Sequence, residues 1–176
     1  IKWFRGILAG RHPERARSDL DDTAWLVESG LTRDRGLLTN AAVLLFGRDR
    51  VLARVKPAGI VDFRVIEDAW AEGTPAHRWD DRELFEDNLV GTLRGLFERA
   101  TRLLPQPFAF EQEGRSAARS TDFVAVREAL VNLLAHQDYA DRNRTARVLW
   151  FRDRVFFENP GDSFVPLAQM LEGGVS

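Results

Sequence analysis

The 176-residue sequence contains no cysteine, which excludes disulfides, thiolate metal sites and cysteine nucleophiles and fits a reducing cytoplasm. Lysine is nearly absent as well. Lys2 and Lys56 are the only two, so basic charge is carried almost wholly by arginine, a bias that genome composition produces as readily as phosphate binding. No apolar run approaches the ~20 residues needed to span a bilayer, and no secretory-signal pattern, internal repeat or low-complexity tract occurs. The expected location is cytoplasmic. A formal charge of -2 gives no global attraction to nucleic acid, so contact with it requires a local patch. What is present is 44% apolar and 30% charged residues, enough for one well-cored globular domain. The chain opens on Ile1 and closes on Gly173-Gly174-Val175-Ser176, ends that predict a piece of a longer polypeptide.

Residues 1–19 are rich in Arg and Gly, with a turn signal at His12-Pro13, and predict a linker or the tail of a preceding domain. Asp19, Asp21 or Asp22 is placed to cap a short helix through Glu28 that Gly30 ends. After a polar connector, Thr39 or Asn40 caps the apolar run Ala41–Phe46, closed by Gly47, which is too short for periodicity to separate helix from strand. Residues 58–66 have the β-branched and aromatic content of a strand, and 67–80, with Trp70, Gly73, Pro75 and Trp79, read as a loop. From Asp81, apolar residues at Phe85, Leu89, Leu93, Leu96, Ala100 and Leu103 predict one long core helix that Pro105 stops. Phe108–Gln112 predicts a strand and Glu113–Thr121 a polar loop. Residues 145–151 and 154–158 flank Arg152-Asp153 as a hairpin, and Asn159-Pro160-Gly161 ends its second strand. Helices and antiparallel strands are interspersed, which favours an α+β fold with helices on one face of a mixed, mainly antiparallel sheet.

Between Arg127 and Tyr139 the sequence runs REALVNLLAHQDY. At about 100° per residue, Glu128, Asn132 and His136 share one helical face, opposite Val126, Leu130, Leu133 and Leu134. A solvated face more usually carries Lys, Arg and Glu pairs than an acid, an amide and an imidazole. A carboxylate and an amide one turn apart divide the handling of a metal-bound polyphosphate: Glu128 orients or deprotonates water, and Asn132 places its oxygen on Mg²⁺, a hard cation. Glycine after Asn159-Pro160 lets backbone approach a base or phosphate, and the strand ending there is expected to form the opposite wall of a hollow lined by Glu128 and Asn132.

The run from Glu128 to Tyr139, followed by a hairpin and Glu158-Asn159-Pro160-Gly161, resembles the C-terminal half of bacterial Schlafen-like predicted transcriptional regulators, often called RecG-type ATP-dependent helicases. Leu38–Gly47 is similar to the opening of the same region, and together the resemblance covers residues 20–176. It implies an AlbA-like DNA-binding domain outside this sequence and a GHKL-like ATPase fold within it, with the lid and second glycine-rich box expected beyond Ser176. By that resemblance Glu128 is the hydrolytic base of a weak ATPase, Asn132 binds magnesium, and Asn159 and Gly161 match the adenine-reading box, where an Asn replaces the usual Asp. Asn132, His136, Asn159 and Gly161 are thus candidate cofactor-binding residues for ATP, with Mg-ATP held between the helix and the turn. DNA, reached through the other domain, and a second copy of the chain are the implied partners.

The remaining polar residues carry plainer expectations. His136 is expected to be positioned by a bond from its ring nitrogen to Asp138, and no second His or Cys stands at metal-ligand spacing. Tyr139 is expected to pack its ring at the helix end and cap the helix through its hydroxyl. Arg142, Arg144, Arg147, Arg152 and Arg154 are expected to protect an exposed hairpin edge rather than bind phosphates, and Trp70 and Trp79 to close over a core. A nucleotide-independent scaffold for dimerisation or partner binding is the alternative function.

Overall fold

The structure, a computed structural model, describes residues 1–72, 79–104 and 121–161. The strand expected at 108–112 and the loop at 113–120 lie outside the described residues. Among the described residues it is an α+β fold of seven α-helices and a four-stranded mixed sheet, ordered β2-β1-β3-β4. Strand β1 (Val61–Ile66) pairs antiparallel with β2 (Asp81–Phe85) and parallel with β3 (Ala146–Phe151), which pairs antiparallel with β4 (Val155–Glu158). β3 and β4 are the predicted hairpin. Side chains alternate between the two faces of a strand. Val61, Phe63 and Val65 of β1 and Ala146, Val148 and Trp150 of β3 therefore meet helices in the main core, where Leu52, Leu96, Leu130 and Leu133 are buried. The opposite face holds a smaller cluster of Ile66, Leu149, Phe151 and Phe156.

The helices are α1 (Lys2–Arg11), α2 (Pro13–Ala16), α3 (Asp22–Glu28), α4 (Asn40–Phe46), α5 (Asp49–Val55), α6 (Leu89–Leu103) and α7 (Thr121–Ala135). Asp21 caps α3 by accepting from the Ala24 amide at 2.7 Å, and Thr39 caps α4 by accepting from Ala42 at 3.1 Å; the cap settles the apolar run after Thr39 as helix. Gly30, at φ +68°, follows α3 in the left-handed region that glycine tolerates.

Two expectations are corrected. Residues 2–11 and 13–16 are helical where a linker or the tail of a preceding domain was expected, so the stretch is not an unstructured linker. Arg5 donates to the carbonyls of Ala16, Arg17 and Leu20 and to Asp22, and Phe4 sits edge-on to Trp25 and Phe46. An arginine on the inward face of α1 breaks the apolar stripe by which such a helix is recognised. The second correction is the helix expected from Asp81: residues 81–85 are strand β2, and α6 starts at Leu89 behind Asn88, whose side chain accepts from the Gly91 amide at 3.0 Å. Phe85 lies four residues before Leu89 and so continued the helical spacing by coincidence.

Candidate functional site

Helix α7 buries Leu130, Leu133 and Leu134 and half-buries Val126, as the amphipathic pattern requires. It packs against α6 on one side and against β4, an edge strand of the sheet. Glu128, Asn132 and His136 are exposed, and none makes a side-chain hydrogen bond or ion pair among the described residues. The expected tie between His136 and Asp138 is not formed. Asp138 Oδ1 instead accepts from the Ala140 amide at 2.8 Å, a local turn that wins over a bond to the ring. Tyr139 behaves as expected: its hydroxyl donates to the Leu134 carbonyl at 2.6 Å, and burial pushes the phenol pKa far up, so it stays neutral.

The loop from α7 to β3 is stitched to the segment before β1. Lys56, 2% exposed, donates to the carbonyls of Asp141 and of Arg144, the latter at 2.7 Å. Thr145 donates to Ala58, Arg142 to Arg54 and Gln137 to Ile60. Burial draws the Lys56 pKa down, and the nearby Asp141 and Asp138 carboxylates only partly offset it. This clamp fixes where α7 ends and where β3 begins. The sequence offered little sign of it beyond Lys56 being one of two lysines.

Strand β4 exits through Asn159, Pro160 and Gly161, with Gly161 at φ +117° and no atom within 4 Å of the position a Cβ would take. A surface hollow of about 530 Å³ lies here, lined by Asp62, Arg144, Thr145, Arg147 and Glu158 together with that bend. None of its lining residues comes from α7, so the hollow expected between Glu128, Asn132 and this bend is corrected: both side chains are exposed, and the hollow at the bend is lined by β1, β3, β4 and the loop before β3 instead. Its floor is a row in register across three strands, Asp62 opposite Arg147 and Arg147 opposite Glu158, on the sheet face away from the helices. Both oxygens of the buried Asp62 are taken: Arg82 Nε donates at 2.8 Å, and Arg64 Nη2 at 2.6 Å. Burial pushes the Asp62 carboxyl up, but the bonds from Arg82 and Arg64 outweigh it and hold the pKa below the usual carboxylate value. Trp79 lies under both guanidiniums, 4.6 Å from Arg64 and 5.1 Å from Arg82. The loop tryptophans are exposed rather than closing over a core: Trp79 meets the two guanidiniums, and Trp70 packs on Phe156. The hairpin arginines are largely partnered: Arg147 with Glu158, Arg154 with Asp153, Arg144 with Asp141. The charged row escaped notice in the sequence, although the alternation Val61-Asp62-Phe63-Arg64-Val65 puts both charges on one face.

Among the described residues no group of three or more His, Asp or Glu side chains is arranged to hold a metal ion, and no helix is long and apolar enough to cross a membrane. The comparisons with known proteins bear on the architecture. The fold is shared with a solved bacterial protein. The DIP2311 protein from Corynebacterium diphtheriae, a structural-genomics target, superposes with a TM-score of 0.58 at 19% sequence identity, over 89% of this chain and 30% of that one. The chain thus spans under a third of the length of the protein it resembles. No family model matches the sequence, and no curated protein matches it.

Proposed function

We propose that this chain is a nucleotide-binding, GHKL-like module of a bacterial DNA-associated transcriptional regulator of Schlafen-like type, taking Mg-ATP along the outer face of α7. The observation that carries this reading is that an acid, an amide and an imidazole stand on successive turns of a helix beside the β4 edge, exposed and without bonding partners among the described residues. Mg²⁺ keeps several waters and is usually held by one or two carboxylates plus substrate phosphates; here Asn132 Oδ1 would be its protein oxygen, with the nucleotide phosphates and waters completing the shell. The bound nucleotide supplies the scissile phosphoanhydride. Glu128 accepts a proton from the attacking water, His136 contacts the polyphosphate, Asn159 accepts a hydrogen bond from the base through its amide oxygen, and Gly161 leaves room for it.

Glu128→Ala should reduce any ATP turnover to background while sparing binding, because it removes the base but no phosphate or metal ligand. Equal turnover by both proteins would remove the assignment. A second reading is a nucleotide-independent scaffold for dimerisation or partner binding. It is favoured by the hollow at Asn159–Gly161, which includes none of Glu128, Asn132 or His136.

A further inference from the structure

We infer that the hollow at the end of β4, on the sheet face opposite the helices, is an oxyanion site that takes a phosphate group of a small molecule, with Arg144 and Arg147 as its ligands. The inference stands on the hollow alone and needs no nucleotide at Glu128. Three features carry it. The first is a surplus of donors. Arg147 Nη2 lies 2.7 Å from Glu158 Oε2 as an ion pair without hydrogen-bond geometry, and Arg144 gives Nε to Asp141 at 2.5 Å; a guanidinium has five N–H donors, so both retain several. Their side chains are 44% and 63% exposed, open to a ligand. The second is the state of Asp62, the buried carboxylate in the floor. It is bonded by both Arg64 and Arg82, so its negative charge is matched within the floor. Among the ion pairs of the described residues, the guanidiniums of Arg64, Arg82, Arg144 and Arg147 meet the carboxylates of Asp62, Asp141 and Glu158, four against three.

The third feature is shape. About 530 Å³ is within the range of small-molecule sites. The exposed Asn159 amide and the unobstructed backbone at Gly161 complete one wall, and the Lys56 clamp on the Asp141 and Arg144 carbonyls holds the opposite wall in place. Planar guanidiniums bind phosphate oxygens in pairs, with directional hydrogen bonds. Glu158 is the one carboxylate of the hollow covered by a single guanidinium, and it competes with an incoming anion for Arg147.

Inorganic phosphate and a nucleoside monophosphate, titrated separately by NMR against protein carrying both Asn132→Ala and His136→Ala, test this without contribution from the proposed phosphate and metal contacts of α7. Both probes should shift the resonances of residues 144–147 and 158–161. Arg147→Gln should weaken phosphate at least tenfold, and Glu158→Gln should tighten it, since it frees Arg147 and removes a repelling charge; a purely structural Glu158 would give no tightening. Tighter binding of the monophosphate than of phosphate assigns the site to an organic phosphate, and equal binding to the free ion. No shift at millimolar phosphate, or binding indifferent to Arg147→Gln and Glu158→Gln, would overturn the inference.

Discussion

Asp62 shows how one residue is held in a state it would not choose alone. A buried carboxylate is costly unless its charge is matched and its lone pairs are filled; here two arginines do both. Because the folded pKa lies below the unfolded value of about 3.9, the stability Asp62 contributes is fully present above that value. It is lost as pH falls through the folded pKa. Asp62→Asn, which leaves two guanidiniums facing one another, should cost about 1–3 kcal/mol at neutral pH, discounted because Arg82 reaches solvent. Denaturant unfolding followed from pH 7 to pH 2 should show wild type and variant converging as the carboxyl protonates, whereas a constant gap would mean that packing, not charge, holds the site. At this scale the sequence was partly legible. The Tyr139 cap follows from a phenol placed one turn past a buried leucine, but the His136 and Asp138 pairing did not, because a short Asp bonds its own backbone two residues on before it reaches a neighbouring ring.

At the scale of elements, strong capping chemistry marked boundaries where periodicity misled. Phe85, Leu89 and Leu93 suggest continuous helix, yet Asp87-Asn88 is a stop followed by a start. Asn88 caps Gly91 and also donates to the Gly47 carbonyl at 3.0 Å, tying α6 to the end of α4. Asn88→Ala should therefore cost about 1–2 kcal/mol, lowering Tm by roughly 2–6 °C for a domain of this size. An unchanged Tm would show that α6 is held by its buried face alone. The β3–β4 hairpin was legible because two alternating runs flank a polar pair, and α7 because Val126, Leu130, Leu133 and Leu134 recur at helical spacing. Helix α1 was not, since its tertiary anchors are Phe4 and a half-buried Arg5 rather than an apolar stripe.

For the whole molecule, the α+β arrangement follows from the interspersed helix and strand patterns, but the partners within the sheet do not. β1 lies parallel to β3, some 80 residues later, and no local pattern encodes so distant a pairing. The same limit applies to the candidate site. Periodicity places Glu128, Asn132 and His136 on one face and correctly assigns them to the side away from the core, but which strand exit they meet is a tertiary property. The structure packs α7 against β4 and gives the bend a hollow lined by no residue of α7, so the two halves of the proposed nucleotide site are not walls of one cavity.

The most direct test is therefore binding, not turnover. Calorimetric titration of Mg-ATP should release more heat than a control titration of inorganic phosphate with magnesium at the same concentrations. Asn132→Ala should weaken the additional Mg-ATP binding at least tenfold. Titrations of Mg-ATP and of phosphate that superimpose, or a difference untouched by Asn132→Ala, would contradict a nucleotide site on α7.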